Sequence, residues 1–222
     1  MKVSLFLAIA TMTIAFAACG DKPKNAEEAT KEAVDLGLSV KWATCNIGAS
    51  SPEGYGNYYA WGETSTKSTY NWDTYKYCRK DEYGDIQMTK YCTDSNHGTV
   101  DNRTKLEPSD DVAHVKWGGD WRMPTAEECE ELKDKCKWEW KQRNGVNGYK
   151  VTGPNGNSIF LPAAGCRSDG SLYNVGSDGN YWSSSLYSSG CGYAWDLWFD
   201  SSNVDVDDVD RGNGQSVRPV CP

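Results

Sequence analysis

The pattern of apolar and polar residues predicts short strands along most of the chain. Residues 35–43 alternate between apolar and polar side chains with a period of two, which is typical of a half-buried strand, and we take them as the first strand of the domain. Further strands are predicted at residues 148–152, 158–161, 181–184, 194–199 and 216–221. Gly- and Pro-rich turns, such as residues 153–156, separate them.

One helix is clearly signalled. Thr125 and Glu128 have the spacing of a capping box, in which each side chain bonds a free amide at the start of a helix. We expect the helix to run to about Cys136, with Cys129, Leu132 and Cys136 on the face that packs against the core. Cys129 and Cys136 would lie roughly 10 Å apart along the helix axis, which is too far for them to bond each other.

Residues 46–109 contain no long periodic element and are rich in Gly, Ser, Asn, Asp and Tyr. A loop-rich region of this kind needs cross-links, and Cys78 and Cys92 lie fourteen residues apart within it. Closing a loop of that length stabilises a fold by about 3 kcal/mol. One helix with many short antiparallel strands and long loops predicts an α+β fold.

The N-terminal pattern predicts an exported lipoprotein. Residues 1–18 combine a basic start with an apolar run too short to span a bilayer, as in a signal peptide. The run ends in Ala17-Ala18-Cys19-Gly20, which resembles a lipobox and implies that Cys19 is acylated. Residues 19–33 are polar and suit a lipidated tether, followed by one domain over 34–222. The alternative is an ordinary cleaved signal with an incidental cysteine.

Composition narrows the possible partners. The formal net charge is −8, so the phosphate backbone of nucleic acid would be repelled. Ten Trp and thirteen Tyr supply large apolar side chains for a core. Eight cysteines remain after Cys19, and an even number in an exported chain favours disulfides. The only histidines are His97 and His114, and no Cys pair has zinc-site spacing, so we expect no zinc.

Six motifs resemble the Fibrobacter succinogenes major paralogous domain (FISUMP). Together they cover nearly all of 34–222, at residues 35–46, 59–64, 117–125, 157–165, 181–185 and 214–220. The resemblance implies a C-type-lectin-like fold, in which the terminal strands pair and irregular loops are displayed on a small mixed scaffold. It also implies an envelope lipoprotein, which we place at the outer membrane, facing the cell surface or the periplasm.

Most motif residues are interpreted as structural. If the first and last strands are neighbours, Cys45 would be able to bond Cys221, with Cys136 as a rival partner for either. Arg122 or Arg218 would satisfy buried carbonyls or carboxylates. We expect four motif tryptophans in the core: Trp117, Trp121, Trp182 and Trp195.

Residues 167–213 have the composition of a binding loop. They are rich in Ser, Asp, Gly, Tyr and Asn and contain no Lys, Glu, Gln, Met, Thr or Pro. Tyr provides contact area at low entropic cost, while Ser, Gly and Asn provide adaptable hydrogen bonds. We therefore predict binding of a glycan or a surface protein; the alternative is a structural or fimbria-associated envelope component without a soluble ligand. The predicted contacts are Tyr173, Asn174, Asp178, Asn180, Tyr187, Ser188, Ser189, Tyr193, Asn203, Asp205, Asp207 and Arg211.

The missing residue types suggest a second hypothesis about this segment. Adenine-directed mutagenesis of AAC codons cannot yield Lys, Glu, Gln or Met, and C-type-lectin-like domains are common targets of diversity-generating retroelements. Under that hypothesis Cys166 and Cys191 are products of variation rather than a disulfide. Recombination or drift among paralogues is the alternative.

No cofactor or catalytic residue is expected. Five aspartates form an acidic cluster in a predicted loop, and such oxygen ligands suit Ca²⁺: Asp200, Asp205, Asp207, Asp208 and Asp210. Their spacing does not match an EF-hand, and a solvated acidic strand edge is the other interpretation. Calcium-dependent binding therefore remains only an alternative. No Ser/His/Asp arrangement is evident, so we predict a binding protein and not an enzyme.

Overall fold

A computed structural model describes residues 31–187 and 189–222 of the chain. The predicted signal peptide, Cys19, most of the tether and Ser188 lie outside the described residues. Within the described part, no helix has the length and apolar character needed to cross a membrane.

The fold is α+β, with two helices and thirteen short strands among the described residues. The helices are α1 (Val112–Trp117) and α2 (Ala126–Lys135). The strands of the first half are β1 (Ala33–Val34), β2 (Lys41–Ala43), β3 (Cys78–Lys80) and β4 (Ile86–Met88). Those that follow α2 are β5 (Lys137–Arg143), β6 (Val146–Thr152), β7 (Ser158–Pro162), β8 (Cys166–Ser168), β9 (Ser171–Tyr173), β10 (Gly179–Leu186), β11 (Tyr193–Phe199), β12 (Val204–Asp210) and β13 (Val220–Cys221).

All of these strands pair in antiparallel fashion, in five small sheets. Three sheets have three strands, in the orders β1-β2-β13, β5-β6-β7 and β10-β11-β12, and two are the hairpins β3-β4 and β8-β9. Val220 lies opposite Trp42, so the expectation that the chain ends meet as neighbouring strands is confirmed.

The sheet β10-β11-β12 has a hydrophobic core on each face. Alternate residues of a strand point to opposite sides, so Trp182 and Ala194 pack with the aromatic side chains of residues 58–92. Leu197 and Phe199 pack on the other side with α2 and the sheet β5-β6-β7. The loop region that lacks periodicity is therefore held by buried aromatic rings on one face of this sheet.

Helix α2 matches its prediction closely. Thr125 is the N-cap, the capping box with Glu128 is present, and Cys136 is the C-cap. Cys129 and Leu132 are fully buried, while Cys136 at the helix end is half-buried.

The predicted first strand is wrong over most of its length, because only Lys41–Ala43 of residues 35–43 is extended in a sheet. Gly37 adopts a φ of +77°, which few other residues tolerate, and its amide donates to Asp35 Oδ1 at 2.7 Å. This turn interrupts the strand that the alternating pattern predicted.

The tryptophan predictions were right only in part. Trp182 is fully buried, whereas Trp117, Trp121 and Trp195 are half-buried. Trp117 and Trp121 pack edge to face at 5.0 Å near the surface, because the Gly-Gly turn between them has φ values of +71° and +57°.

Residues 214–220, which we call the C-terminal segment, are buried throughout. Their backbone bonds to segments far away in sequence, for example from Gln215 N to Tyr59 O at 3.0 Å and from Ile47 N to Val217 O at 3.0 Å. Arg218, in the C-terminal segment, is only 1 % exposed and donates to buried carbonyls, as predicted. Its acceptors are Ala43 O, Thr44 O and Phe160 O, each at 2.9 Å, and Asn46 Oδ1 at 2.8 Å. Arg122 also agrees with the prediction, because it binds the carboxylate of Glu128 and donates to Met123 O at 3.1 Å.

The eight described cysteines are free thiols, so no bond joins Cys78 to Cys92, and none joins Cys45 or Cys221 to each other or to Cys136. Cys78 Sγ donates to Trp72 O at 2.9 Å, while Cys92 faces Cys191. Cys221 lies opposite Lys41, so Cys45 is four residues farther along the strand direction and beyond bonding reach. Cys129 and Cys136 do not bond each other, as the helix geometry predicted.

Candidate functional site

The predicted binding residues do not form one site. Tyr173 ends β9, and Asn174 and Asp178 belong to the turn that follows it, where Asn174 has a φ of +56° and donates to Asp178 Oδ2 at 2.8 Å. The Asp178 carbonyl accepts from Gly165 N at 2.7 Å, which closes the turn. Tyr173 is 48 % exposed at this position.

A second group lies along β12 and the turn before it. Asn203 is exposed, and its amide binds Asp200 Oδ1 at 2.8 Å, so this pair shapes the β11–β12 turn. Asp205 lies 3.3 Å from Lys133 Nζ, in an ion pair with α2. These contacts are local and stabilise the fold.

Arg211 was predicted to contact a ligand, and this prediction is wrong, because the side chain is 0 % exposed. Its guanidinium donates to Tyr75 Oη at 2.9 Å and to Cys191 O at 2.6 Å. It also lies 4.8 Å from the centre of the Trp61 ring, within cation–π distance. Arg211 therefore satisfies buried acceptors inside the loop-side core.

Tyr187 and Ser189 belong to the connection between β10 and β11, and Tyr193 begins β11. Ser188 in this connection lies outside the described residues. Tyr187 packs edge to face on Trp195 at 4.9 Å. Tyr193 N donates to Gly190 O at 3.0 Å, which folds the loop back on itself. Tyr193 remains 42 % exposed and is the one predicted residue that lines an aromatic cavity.

We call this cavity the aromatic cleft. It has a volume of about 270 Å³ and is lined by Trp72, Ile86, Met88, His97, Gly190, Gly192, Tyr193 and Asp210. The lining comes from four stretches of the chain that lie far apart in sequence, so the cleft exists only in the folded domain.

Strand pairing places two of the polar groups together. Tyr193 and Asp210 are direct partners across β11 and β12, and partners in an antiparallel pair project on the same side of the sheet. Gly192 lies beside the Trp72 ring, so that a Cβ atom there would be 3.7 Å from it. Trp72 is further held edge to face against Tyr75 at 5.6 Å.

The opposite wall is the β3-β4 hairpin and the loop after it. Met88 N donates to His97 O at 2.7 Å and Thr99 N donates to Met88 O at 2.8 Å, which fixes His97 beside the hairpin. The His97 ring contacts Asp94 Oδ2 at 3.1 Å and is itself exposed. An imidazole and a carboxylate therefore border the same cleft.

Asp210 is suited to accept hydrogen bonds from a ligand. Burial, together with the nearby charge of Asp208, raises the pKa of Asp210 above its ordinary value. In the described part of the chain, no side chain or amide bonds its carboxylate, so the oxygens are left for the cleft.

The remaining aspartates form an acidic cleft of about 270 Å³, lined by Asn180, Asp196, Trp198, Asp207, Asp208 and Val209. The prediction that the acidic cluster is a loop is wrong, since it extends over strand β12, and the interpretation as an acidic edge strand is confirmed. Asn180, another predicted contact, is only 8 % exposed here, whereas Asp207 is exposed. Among residues 31–187 and 189–222, no three His, Cys, Asp or Glu side chains are placed to hold a metal ion.

A larger open cavity of about 600 Å³ lies elsewhere, beside Lys31, Lys116 and Trp117. It contains none of the predicted binding residues, and its lining has two aromatic rings, Tyr59 and Trp117, but no carboxylate. The aromatic cleft is the better candidate, because it combines its rings with a carboxylate whose oxygens accept no hydrogen bond from the described residues.

Sequence reasoning missed Trp72 and His97 as binding residues and considered Asp210 only as a possible calcium ligand. For Asp210 a signal existed, because residues 204–207 alternate Val and Asp with a period of two, and a strand there would pair with β11. Trp72 and His97 come from the loop region, where no local pattern indicates what they face.

A family model matches part of the chain. Residues 124–220 match a family model described as a domain of unknown function (DUF8237). The matched part runs from the start of α2 to β13 and supplies Tyr193 and Asp210, whereas Trp72 and His97 lie before it. No curated protein matches the chain, and no solved structure matches it.

Proposed function

We propose that this protein is a cell-envelope lipoprotein that binds a glycan in the aromatic cleft. The observation that carries the proposal is the convergence of Trp72 and Tyr193 rings on a cleft that also holds the half-buried carboxylate of Asp210. Aromatic faces give apolar contact with the C–H faces of a sugar, and a carboxylate accepts strong hydrogen bonds from its hydroxyls.

The dimensions of the cleft favour a small ligand. A volume of about 270 Å³ is just below the roughly 300–1,000 Å³ of sites for drug-sized molecules. We therefore expect the cleft to bind the terminal sugar residue of a glycan. The remaining sugars of the glycan would extend past His97 into solvent.

Features outside the cleft support a role in the cell envelope. The net charge of −8 disfavours nucleic acid, and acylation of Cys19 would hold the domain at a membrane. The six sequence motifs and the pairing of β2 with β13 support a C-type-lectin-like fold of the FISUMP type at the outer membrane. We propose a binding protein without catalytic activity and without a bound cofactor.

Retroelement diversification of residues 167–213 stays a prediction, and the fold restricts where it would act. Cys191, Asp196 and Arg211 are buried, so variation there would disturb the core. Exposed positions such as Tyr173 and Asn203 would tolerate it. A template repeat and a reverse transcriptase beside the gene would support diversification, and their absence would end the idea.

A glycan array probed with the full chain tests the proposed function. We expect binding to plant, microbial or host glycans that is at least tenfold weaker in Trp72→Ala, Tyr193→Ala and Asp210→Asn. Tyr83→Ala is the matched control, because Tyr83 is 83 % exposed on the β3-β4 turn and lies outside the cleft.

Thermal unfolding of each variant distinguishes the loss of ligand contacts from the loss of the fold. If Trp72→Ala is unstable, Trp72→Phe replaces it, because it retains an aromatic ring. Absence of glycan binding by the wild-type chain would refute the proposal. If all three cleft variants fold and bind with wild-type affinity, the aromatic cleft is not the binding site.

A further inference from the structure

Two cysteines from distant parts of the chain meet beside the aromatic cleft. Cys92 Sγ lies 2.6 Å from Cys191 Sγ, and both residues are at most 1 % exposed. This separation is well inside the ~3.5–4.0 Å at which non-bonded heavy atoms are most stable. In the described part of the chain, no other pair of sulfur atoms is in hydrogen-bond contact.

The backbones on both sides of the pair are fixed by one buried side chain. Arg211 donates to Tyr91 O at 3.1 Å and to Cys191 O at 2.6 Å, so its guanidinium bridges the two segments. Tyr91 has a φ of +58°, in the left-handed region, and this turn directs Cys92 inward. Thr93 N donates to Cys191 Sγ at 3.1 Å, which holds the second sulfur in place.

We propose that Cys92 and Cys191 are a disulfide-forming site that joins the two walls of the aromatic cleft. The oxidant is a disulfide compound RSSR, such as oxidised glutathione or a disulfide-carrying oxidoreductase. The thiolate of Cys191 attacks one sulfur of RSSR, forms a mixed disulfide and releases RS⁻. The thiolate of Cys92 then attacks Cys191 Sγ and displaces the second RS⁻. The two cysteine protons end on the two RSH products, and two electrons pass to the oxidant.

Cys191 is the better first nucleophile. Burial by itself raises the pKa of this thiol, but hydrogen bonds donated by the Cys92 thiol and by Thr93 N outweigh burial and lower the pKa of Cys191. Thiolate, rather than thiol, attacks a disulfide. Because both sulfurs are buried, we expect the exchange to be slow in the folded chain.

The bond would connect the loop that carries Gly190, Gly192 and Tyr193 to the segment that carries His97. Its effect on ligand affinity rests on the proposed function, whereas the bond itself does not. Reduction would leave the cleft walls joined only by non-covalent contacts, so we expect weaker glycan binding in reducing buffer.

Peptide mapping tests the bond directly. Trypsin releases Cys92 on residues 91–103 and Cys191 on residues 168–211, and each of these peptides contains one cysteine. The full chain is exposed to oxidised glutathione, alkylated without reduction and digested. We expect a linked pair of these two peptides, which disappears on reduction. Recovery of both cysteines as alkylated thiols, or linked to other cysteines, would overturn the proposal whatever the protein binds.

Thermal unfolding gives a second readout. Reduction should lower the midpoint of the wild-type chain by about 10 °C, because the bond closes a loop of about 100 residues. The Cys92→Ser/Cys191→Ser double variant should show no such change with reductant, whereas Cys166→Ser should behave like the wild type. Equal sensitivity to reductant in the double variant and the wild type would also overturn the assignment.

Discussion

Asp196 is a carboxyl group placed where its charge is costly. It is 3 % exposed on β11, and the charges of Asp207 and Asp208 on β12 lie nearby. Burial first, and then those two carboxylates, raise the pKa of Asp196 well above its ordinary value. The neutral form is therefore the one that the folded state prefers.

This preference makes stability depend on pH in a defined direction. A group whose pKa is raised in the folded state contributes fully to stability below its pKa in the unfolded chain, about 3.8. That contribution is lost as the pH rises through its pKa in the folded state. We expect Asp196→Asn to raise the free energy of unfolding by about 1–3 kcal/mol over the wild type at pH 8, because the amide stays neutral. The difference should vanish near pH 4.

Urea unfolding at several pH values measures this difference. Asp134→Asn serves as the control, since it removes an exposed carboxyl group on α2. A constant difference for Asp196→Asn across the pH range would show that Asp196 is already ionised in the folded state.

At the scale of the element, α2 begins where it does because of three side chains. Thr125 Oγ1 accepts from Glu128 N at 3.3 Å, and Glu128 Oε2 accepts from Thr125 N at 2.9 Å. Arg122 Nη1 binds the same carboxylate at 2.7 Å. The first turn is thus fixed from both sides, with the amides of Thr125 and Glu128 satisfied by side chains.

Removing the cap should weaken the domain by a modest amount. We expect Thr125→Ala to lower the free energy of unfolding by about 1 kcal/mol, because one helix amide loses its acceptor. Thr66→Ala, at an exposed threonine outside the helices, should change it by less than about 0.5 kcal/mol. Equal effects in urea unfolding would mean that the capping box does not hold the helix end.

Local sequence predicts some helices and strands of this fold better than others. Helix α2 was predicted to within one residue because its signals lie within four positions of its start. Strand β5 was missed although Trp138 and Trp140 alternate with charged residues, and most of residues 35–43 was wrongly assigned because the turn at Gly37 depends on a left-handed backbone. Local patterns describe strands well only where no turn interrupts them.

The candidate site was less predictable than the fold. Tyr193 was found from composition, because tyrosine-rich loops are typical of binding surfaces. Arg211 was misassigned for the same reason, since composition does not show whether an arginine points to solvent or to buried carbonyls. Trp72 and His97 reach the cleft only through the packing of the loop region, which no short sequence pattern encodes.

At the scale of the whole molecule, Arg218 joins parts of the chain that are otherwise distant. Its guanidinium binds the end of β2, the loop at Asn46 and strand β7, while its own backbone belongs to the C-terminal segment. One fork of donors therefore connects the start, middle and end of the domain.

Replacing this side chain should destabilise the entire domain. We expect Arg218→Met to lower the free energy of unfolding by about 3–5 kcal/mol, because several buried carbonyls lose their donor at once. Arg143→Met should cost less than about 1 kcal/mol, since Arg143 is half-exposed in its ion pair with Glu53. A loss in Arg218→Met no larger than that in Arg143→Met, by urea unfolding, would contradict this role.

The position of the C-terminal segment also bears on how the protein is made. Residues 214–220 are synthesised after the segments that they contact, yet they form the middle of the structure and bond to both Ile47 and Tyr59. The interior of the domain therefore stays incomplete until this segment has emerged, and the aromatic loops cannot pack fully before then. We expect folding to be slow and cooperative, and a chain truncated before residue 214 to remain unfolded and to be degraded.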